Sequence, residues 1–597
     1  MNNFIKLNTL ILTFFMIFLD QSVAAERIFP LPKPSVDKEI KRSTAQKKVI
    51  YPKEKPLKEK KEEEIDNNNE NKTSSVLNID SNDSSDEIVF VYPEKKPTLV
   101  KKEIHKVILK STILSKKDFK IAKKTFEAID KKKWETALKL SKKSKDNTLH
   151  KLVNYLYLKK TSNNATFYEY ANFIKNNDEF PRLNRLRYLA EHKINLKTNT
   201  PSVILKWFGE KEPLSDFGKI KLGEIYFLEG KIEDSSRIIK DAWIRAKLSK
   251  GNLKYLRKKY KNIITIEDNV KRADWHAWEG KHWDLQRMLK YLPKDYTALY
   301  RARQLLMSKS YGVDKAISDV PEKFKNDIGL KYDRLKWRRK RGRLNPSLDI
   351  LFKLPKDSSQ LIRPDIWWKE RSILTRSLIY KKKYVVAYKV SSNHSLNEGP
   401  EYAEAEWLSG WIALTFLDDP NLALVHFKNF YNNVGYPISL ARGAYWIGKT
   451  YKKIKNTQKS KEWFAEASKY LNTYYGQLAF VEIKPGESFA LNEQANLSEK
   501  FKKKMNKNLL VKIVKLLKEL DKTKYSKDFL KHIALLDINE GSEIFAGKLA
   551  VEIGRYDYAI QISKQASYEK RFNNELNYPV IDTPVIVNNK TMPKSEL

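Results

Sequence analysis

Apolar positions recur at helical spacing from Ser115 onward: Phe119, Ala122, Phe126 and Ile129 fall on one face of a helix. Three lysines at 131–133 break the pattern, and Trp134-Glu-Thr-Ala-Leu-Lys-Leu140 starts a second amphipathic stretch. The two predict a helical hairpin. The same hairpin then recurs along the chain.

The recurrence has a fixed spacing. Leu222-Gly223-x-x-Tyr226 is followed by Ser235, Ile239 and Ala242, and Ile447-Gly448-x-x-Tyr451 by Ser460, Phe464 and Ala467. Counted from the glycine, the offsets are 3, 12, 16 and 19 in both. Leu414, Ala423 and Phe427 form a weaker copy 37 residues before Tyr451, Ser460 and Phe464. A glycine where two helices cross, with a small residue and a large one opposite it, is the tetratricopeptide-like pattern. It predicts an all-α fold: an α-superhelical solenoid of tetratricopeptide-like helical hairpins. The turns Glu229-Gly-Lys-Ile232, Glu279-Gly-Lys-His282 and Lys340-Arg-Gly-Arg343 place glycine where a helix end needs a left-handed residue.

Outside the solenoid the pattern changes. Lys6 and the apolar run at 10–19, followed by Val23-Ala24-Ala25, predict a signal peptide over residues 1–25. Residues 26–113 are rich in Pro, Lys, Glu and Asn and predict a disordered linker, with Ile88-Val-Phe-Val-Tyr92 as its one apolar island. The α-superhelical domain is expected over 114–483 and a second helical domain over 484–597, with helices at 497–520 and 525–536, a small hairpin over 546–559 and an extended tail from Asn577.

Composition agrees and adds a charge argument. Only 19 glycines in 597 residues suit long helices, and the absence of cysteine excludes disulfides, thiolate metal sites and a cysteine nucleophile. Net charge is +42, yet residues 26–110 hold 19 Lys and Arg against 16 Asp and Glu, so nearly all the excess belongs to the folded part. Such a field favours an anionic partner. Export would make that partner peptidoglycan or anionic lipid headgroups rather than nucleic acid, and no stretch approaches the roughly 20 apolar residues of a membrane-spanning helix.

Catalytic chemistry is sparse. No His-Glu-x-x-His, phosphate loop, dinucleotide fingerprint or nucleophile elbow occurs, and no cofactor is implied. His276 and His282 lie six apart, on different helix faces or across a turn, so no metal site is expected there. Two clusters could meet a glycan: the cationic run Trp337-Arg-Arg-Lys-Arg-Gly-Arg343, with Trp337, Arg338, Arg339 and Arg341 as its candidate binding residues, and the indoles Trp367 and Trp368 with Arg371. Sugars stack on aromatic faces and Arg pairs with carboxylates. The structural alternative for both is packing between repeats.

Four segments carry a family resemblance. Asp365-Ile-Trp-Trp-Lys-Glu-Arg-Ser-Ile-Leu374, Tyr402-Ala-Glu-Ala-Glu-Trp-Leu-Ser-Gly-Trp411, Pro437-Ile-Ser-Leu-Ala-Arg-Gly-Ala-Tyr-Trp-Ile-Gly448 and Asn472-Thr-Tyr-Tyr-Gly-Gln-Leu-Ala479 resemble the ring domain of soluble lytic murein transglycosylases. The resemblance implies a ring-shaped superhelix in the periplasm. It also implies a role in remodelling peptidoglycan, in which relatives cleave between N-acetylmuramic acid and N-acetylglucosamine to leave 1,6-anhydromuropeptides. In that family a lysozyme-like domain supplies the acid within Glu-Ser-x-aromatic, followed by Gly-Leu-Met-Gln. Here the one Glu-Ser is Glu487-Ser488, its Phe489 comes one position early, and Pro593-Lys-Ser-Glu-Leu597 resembles the opening of the first catalytic helix. No catalytic residue is therefore assigned, Glu487 is read as a loop residue, and the chain is read as truncated. The competing expectation is a non-catalytic scaffold that binds glycan strands or cell-wall synthesis proteins.

Overall fold

The computed structural model describes residues 110–579, apart from 309, 356 and 492–496. The chain divides into Met1–Glu94 and Lys95–Leu597, and all described residues belong to the second unit. The expected signal peptide, nearly all of the linker, and Pro593 and Glu596 lie outside the described residues. Among the described residues the secondary structure is helical throughout, with no strand.

The first hairpin is Lys116–Asp130 and Trp134–Ser141. The Ser115 side chain accepts from the Asp118 amide at 3.1 Å, supplying one of the acceptors that a helix start lacks. Phe119, Ala122, Phe126 and Ile129 are buried, as their spacing requires. In the hairpin Asp216–Leu228 and Ile232–Arg245, a Cβ on Gly223 would stand 2.6 Å from Ile239. In Pro437–Lys453 and Thr457–Ser468, a Cβ on Gly448 would stand 2.8 Å from Phe464. The equal offsets therefore mark equal contacts. The weaker copy needs a correction: opposite Phe427 sits Gly410, whose added Cβ would meet the ring at 2.9 Å, and Leu414 lies one turn beyond.

Successive first helices run side by side. Tyr332 in Ile328–Lys340 meets Trp367 in Pro364–Tyr380 at 5.1 Å, and further along the same two helices Arg339 bonds Glu370. Both contacts advance in the same direction, so the helices are parallel. Arg303 is fully buried between Asp274 at 2.9 Å and Asp333 at 2.8 Å, one carboxylate from the first helix before it and one from the next. Losing one partner of such a pair costs about 3–5 kcal/mol, because the remaining charge stays buried.

The last helices close the unit. Phe501, Leu517, Phe529 and Leu549 share one hydrophobic core with Phe126, Leu152, Tyr155 and Phe180. Phe529 lies 5.2 Å from Tyr155 and 6.0 Å from Phe180. Polar contacts border this core: Lys159 with Asp528 at 2.7 Å, Lys522 with Asp130 at 3.0 Å, and the Thr112 amide with Glu519 at 2.8 Å. At the other end, Tyr568 lies 4.9 Å from Tyr436, just before the helix Pro437–Lys453. The C-terminal helices thus touch both the first hairpin and the last ones. Two expected details change. The single helix over 497–520 is two, Glu499–Lys507 and Leu509–Glu519, because Asn508 turns out and caps the Leu510 amide at 2.8 Å. Asn577 ends a short helix, Asn574–Asn577, and the expected tail from residue 580 onward lies outside the described residues.

Candidate anion- and glycan-binding surface

The structure separates the two predicted clusters. Trp367 and Trp368 are 0% and 1% exposed and Arg371 is 3% exposed. This corrects their assignment as glycan-binding residues, since a ring without an open face cannot stack on a sugar. Trp368 donates Nε1–H to Glu404 at 2.9 Å. Arg371 donates to the Val390 carbonyl at 3.1 Å, near the end of the helix Tyr384–Ser392, and burial brings its guanidinium down to about 10. All three hold neighbouring helices together.

Around Trp337 the picture is mixed. Arg338 donates to the Pro346 carbonyl at 2.8 Å and Arg339 pairs with the buried Glu370, so both serve packing. Arg341 is exposed, its guanidinium 4.4 Å from the Trp337 ring, and Arg343 approaches the same ring at 5.4 Å. Arg343 ends the predicted cationic run but was not among its candidate binding residues, although a further signal for it was in the sequence.

That signal is a repeated turn. Between the two helices of a hairpin one residue is left-handed: Lys132 (φ 60°), Gly230 (φ 79°), Gly280 (φ 67°), Gly342 (φ 71°) and Lys382 (φ 56°). The next residue returns its amide to a carbonyl five positions back: Lys133 to Ala128, Lys231 to Tyr226, Lys281 to His276, Arg343 to Arg338, and Lys383 to Leu378, at 2.8–3.0 Å. Each of these amide donors is basic. A cation there complements the negative end of the preceding helix, about 0.3–1 kcal/mol apiece, which explains the preference locally. The result at larger scale is a cationic residue on turn after turn. After Pro437–Lys453 the same place is taken by Asn456.

Two of these turns meet in one open cleft of about 510 Å³, lined by Gly342, Leu344, Asn345, Pro346, Lys381 and Lys383. No acidic side chain lines it. A second cleft, about 370 Å³, is formed by the turn at Lys132 and Lys133 with Trp134, Tyr157 and Asn163. Lys160 lies 4.5 Å above the Trp134 ring beside it. The first cleft pairs lysines with neutral hydrogen-bonding groups, a lining suited to carboxylate-bearing, sugar-like ligands, whereas the second also includes the acidic Glu135.

The remaining candidates are placed elsewhere. His276 is buried in Ile266–Trp278, and burial, with Arg272, Lys281 and Arg287 nearby, depresses it to about 3. His282 begins the next helix, His282–Met288. Glu487 stands in an exposed loop, ion-paired with Lys484 at 3.0 Å. The least expected polar cluster surrounds Glu406, which bonds His394 at 2.9 Å, His426 at 2.8 Å and Asn429 at 3.0 Å. Burial would raise this carboxyl, but hydrogen bonds from the two histidines outweigh it and hold it at about 2.

No protein-family model and no curated protein matches the sequence. Solved structures do. An inactive mutant of the lytic transglycosylase Slt from Pseudomonas aeruginosa superposes with a TM-score of 0.51 at 15% identity, over 72% of this chain and 68% of that one. The chain shares the lytic transglycosylase fold. The 70 kDa soluble lytic transglycosylase from Escherichia coli gives 0.48 at 12% identity, over 78% and 72% of the two chains. On this fold, three of the segments that carried the resemblance fall on Gly399–Phe416, Pro437–Lys453 and the start of Tyr474–Ile483, the last helices before the closing ones. No described helix is long and apolar enough to cross a membrane.

Proposed function

We propose that this protein holds peptidoglycan strands in the periplasm, as the non-catalytic part of a soluble lytic transglycosylase would. The observation that carries the reading is the cationic cleft between successive turns, set on a solenoid with the lytic transglycosylase fold. Peptidoglycan offers free carboxylates on its stem peptides along a neutral sugar chain, and the cleft offers Lys381 and Lys383 beside Asn345. Contacts repeated along a polymer add through effective concentration, so weak single sites suffice.

Cleavage sets a different requirement from binding. A general acid must sit in a partly apolar cleft where its proton is retained at neutral pH. Glu487 is solvated and paired with Lys484, so it lacks that setting. The test is chemical: purified peptidoglycan whose carboxylates have been amidated should no longer retain the protein, whereas untreated peptidoglycan should. Equal retention on both would overturn the reading.

A further inference from the structure

The seam where the C-terminal helices meet the end of the solenoid contains a cleft of about 260 Å³. Its walls include Ile438, Asn472, Tyr474, Ser567, Tyr568 and Asn577. Tyr474 is 51% exposed, and Tyr436, in contact with Tyr568, is also 51% exposed. The half-open Tyr474 ring lies on the wall of the cleft. Asn472 adds a second, independent observation: its side-chain oxygen is buried and has no hydrogen-bond partner. An orphaned buried acceptor costs about 1–3 kcal/mol unless a ligand or water donates to it.

We propose that this cleft binds an uncharged pyranose of a glycan chain. A sugar ring has an apolar C–H face that lies on an aromatic ring, and hydroxyl or acetamido N–H groups at its edge that donate to an acceptor such as the Asn472 oxygen. The opposite wall supplies Ser567 and Asn577, which lie 3.4 Å apart. An elongated lipid chain would leave the Asn472 oxygen without a donor. A phosphate-rich ligand would meet Lys564 as the cleft's one cationic side chain. The proposal deepens the peptidoglycan reading by giving the neutral backbone its own subsite, away from the turns that would hold the carboxylates, and it rests on that reading only for the choice of sugar.

The probe is β-1,4-linked N-acetylglucosamine tetramer, which carries no charge, titrated into the full chain by calorimetry. Binding with a dissociation constant on the order of 1 mM is expected. Tyr474→Ala and Asn472→Ala should each weaken it by about tenfold, and Tyr474→Phe, which keeps the ring, should restore most of it. Arg343→Ser with Lys383→Ser should leave tetramer binding unchanged while weakening retention on peptidoglycan. Thus the cleft and the cationic turns can fail separately. No heat from the wild type at about 10 mM tetramer, or equal binding by Tyr474→Ala and Asn472→Ala, overturns the proposal.

Discussion

Ser460 donates its hydroxyl to the Gly448 carbonyl at 3.0 Å, across the crossing of the two helices of one hairpin. Ser235 does the same to Gly223 at 2.8 Å. In each hairpin the glycine also leaves room for the large residue four positions after the serine, Phe464 or Ile239. The spacing that repeats in the sequence is the spacing of one close helix crossing.

Filling that crossing should therefore be costly. Gly448→Ala places a methyl 2.8 Å from Phe464, a side chain 3% exposed with little room to yield. Overpacking of this kind costs about 1–3 kcal/mol. Thermal unfolding should show a lowered midpoint for Gly448→Ala and little change for Gly435→Ala, where an added Cβ meets nothing within 4 Å.

The closure predicts shared stability between distant parts of the chain. Phe529 is 0% exposed and packs on Tyr155 and Phe180. Phe529→Ala should cost about 3–5 kcal/mol. Hydrogen exchange should then speed up in Asn147–Leu158 as well as in Lys527–Ile533. Faster exchange confined to the C-terminal helices would show that the closure adds nothing to the first hairpins.

Burial of Trp367 makes the opposite prediction to a binding role. Trp367→Ala should destabilise the fold by about 3–5 kcal/mol, while the folded fraction keeps its affinity for peptidoglycan. Arg343→Ser should do the reverse, lowering affinity with little effect on the unfolding midpoint.

His276 gives a pH signature. Its folded value, about 3, lies below the ordinary histidine value of 6.5, so the unfolded chain binds the extra proton between those limits. Its contribution is intact above pH 6.5 and declines as pH falls toward 3, by at most about 1.4 kcal/mol per pH unit. Denaturant titrations of wild type and His276→Gln should show a shallower decline for the variant across that window.

Much of the hairpin architecture was legible in the sequence, because a glycine, a small residue and a large one must recur at fixed spacing wherever two helices cross closely. Gly410 escaped that reading. It precedes Phe427 by 17 positions rather than 16, since the first helix runs one residue further and ends loosely, Leu417 bonding Ile412 and Asp419 bonding Ala413, with Asp418 left-handed (φ 56°) before Asp419 caps the next helix. The closure was not legible either, because Asp130 and Lys522 are brought together only by the path of everything between them. Trp367, Trp368 and Arg371 misled for a third reason. The helix Pro364–Tyr380 packs on both sides, so its buried face is broad and carries Glu370 and Arg371 as well as indoles. A charge beside a tryptophan then looks like a solvent-facing cluster. The cationic turns were written in the sequence as single lysines and arginines, yet only the left-handed residue before each shows that they occupy one equivalent place.

The central claim is that these turns hold an anionic wall polymer, and its most direct measurement is cosedimentation of the full chain with purified peptidoglycan across a sodium chloride series. Screening shortens from about 10 Å at 0.1 M salt to about 3 Å at 1 M. The account predicts retention at low salt that falls away as salt rises, and its loss at low salt when Arg341, Arg343, Lys381 and Lys383 are all replaced by Ser in a protein that unfolds at the wild-type temperature. Retention that is indifferent to salt and unchanged in that variant would contradict it.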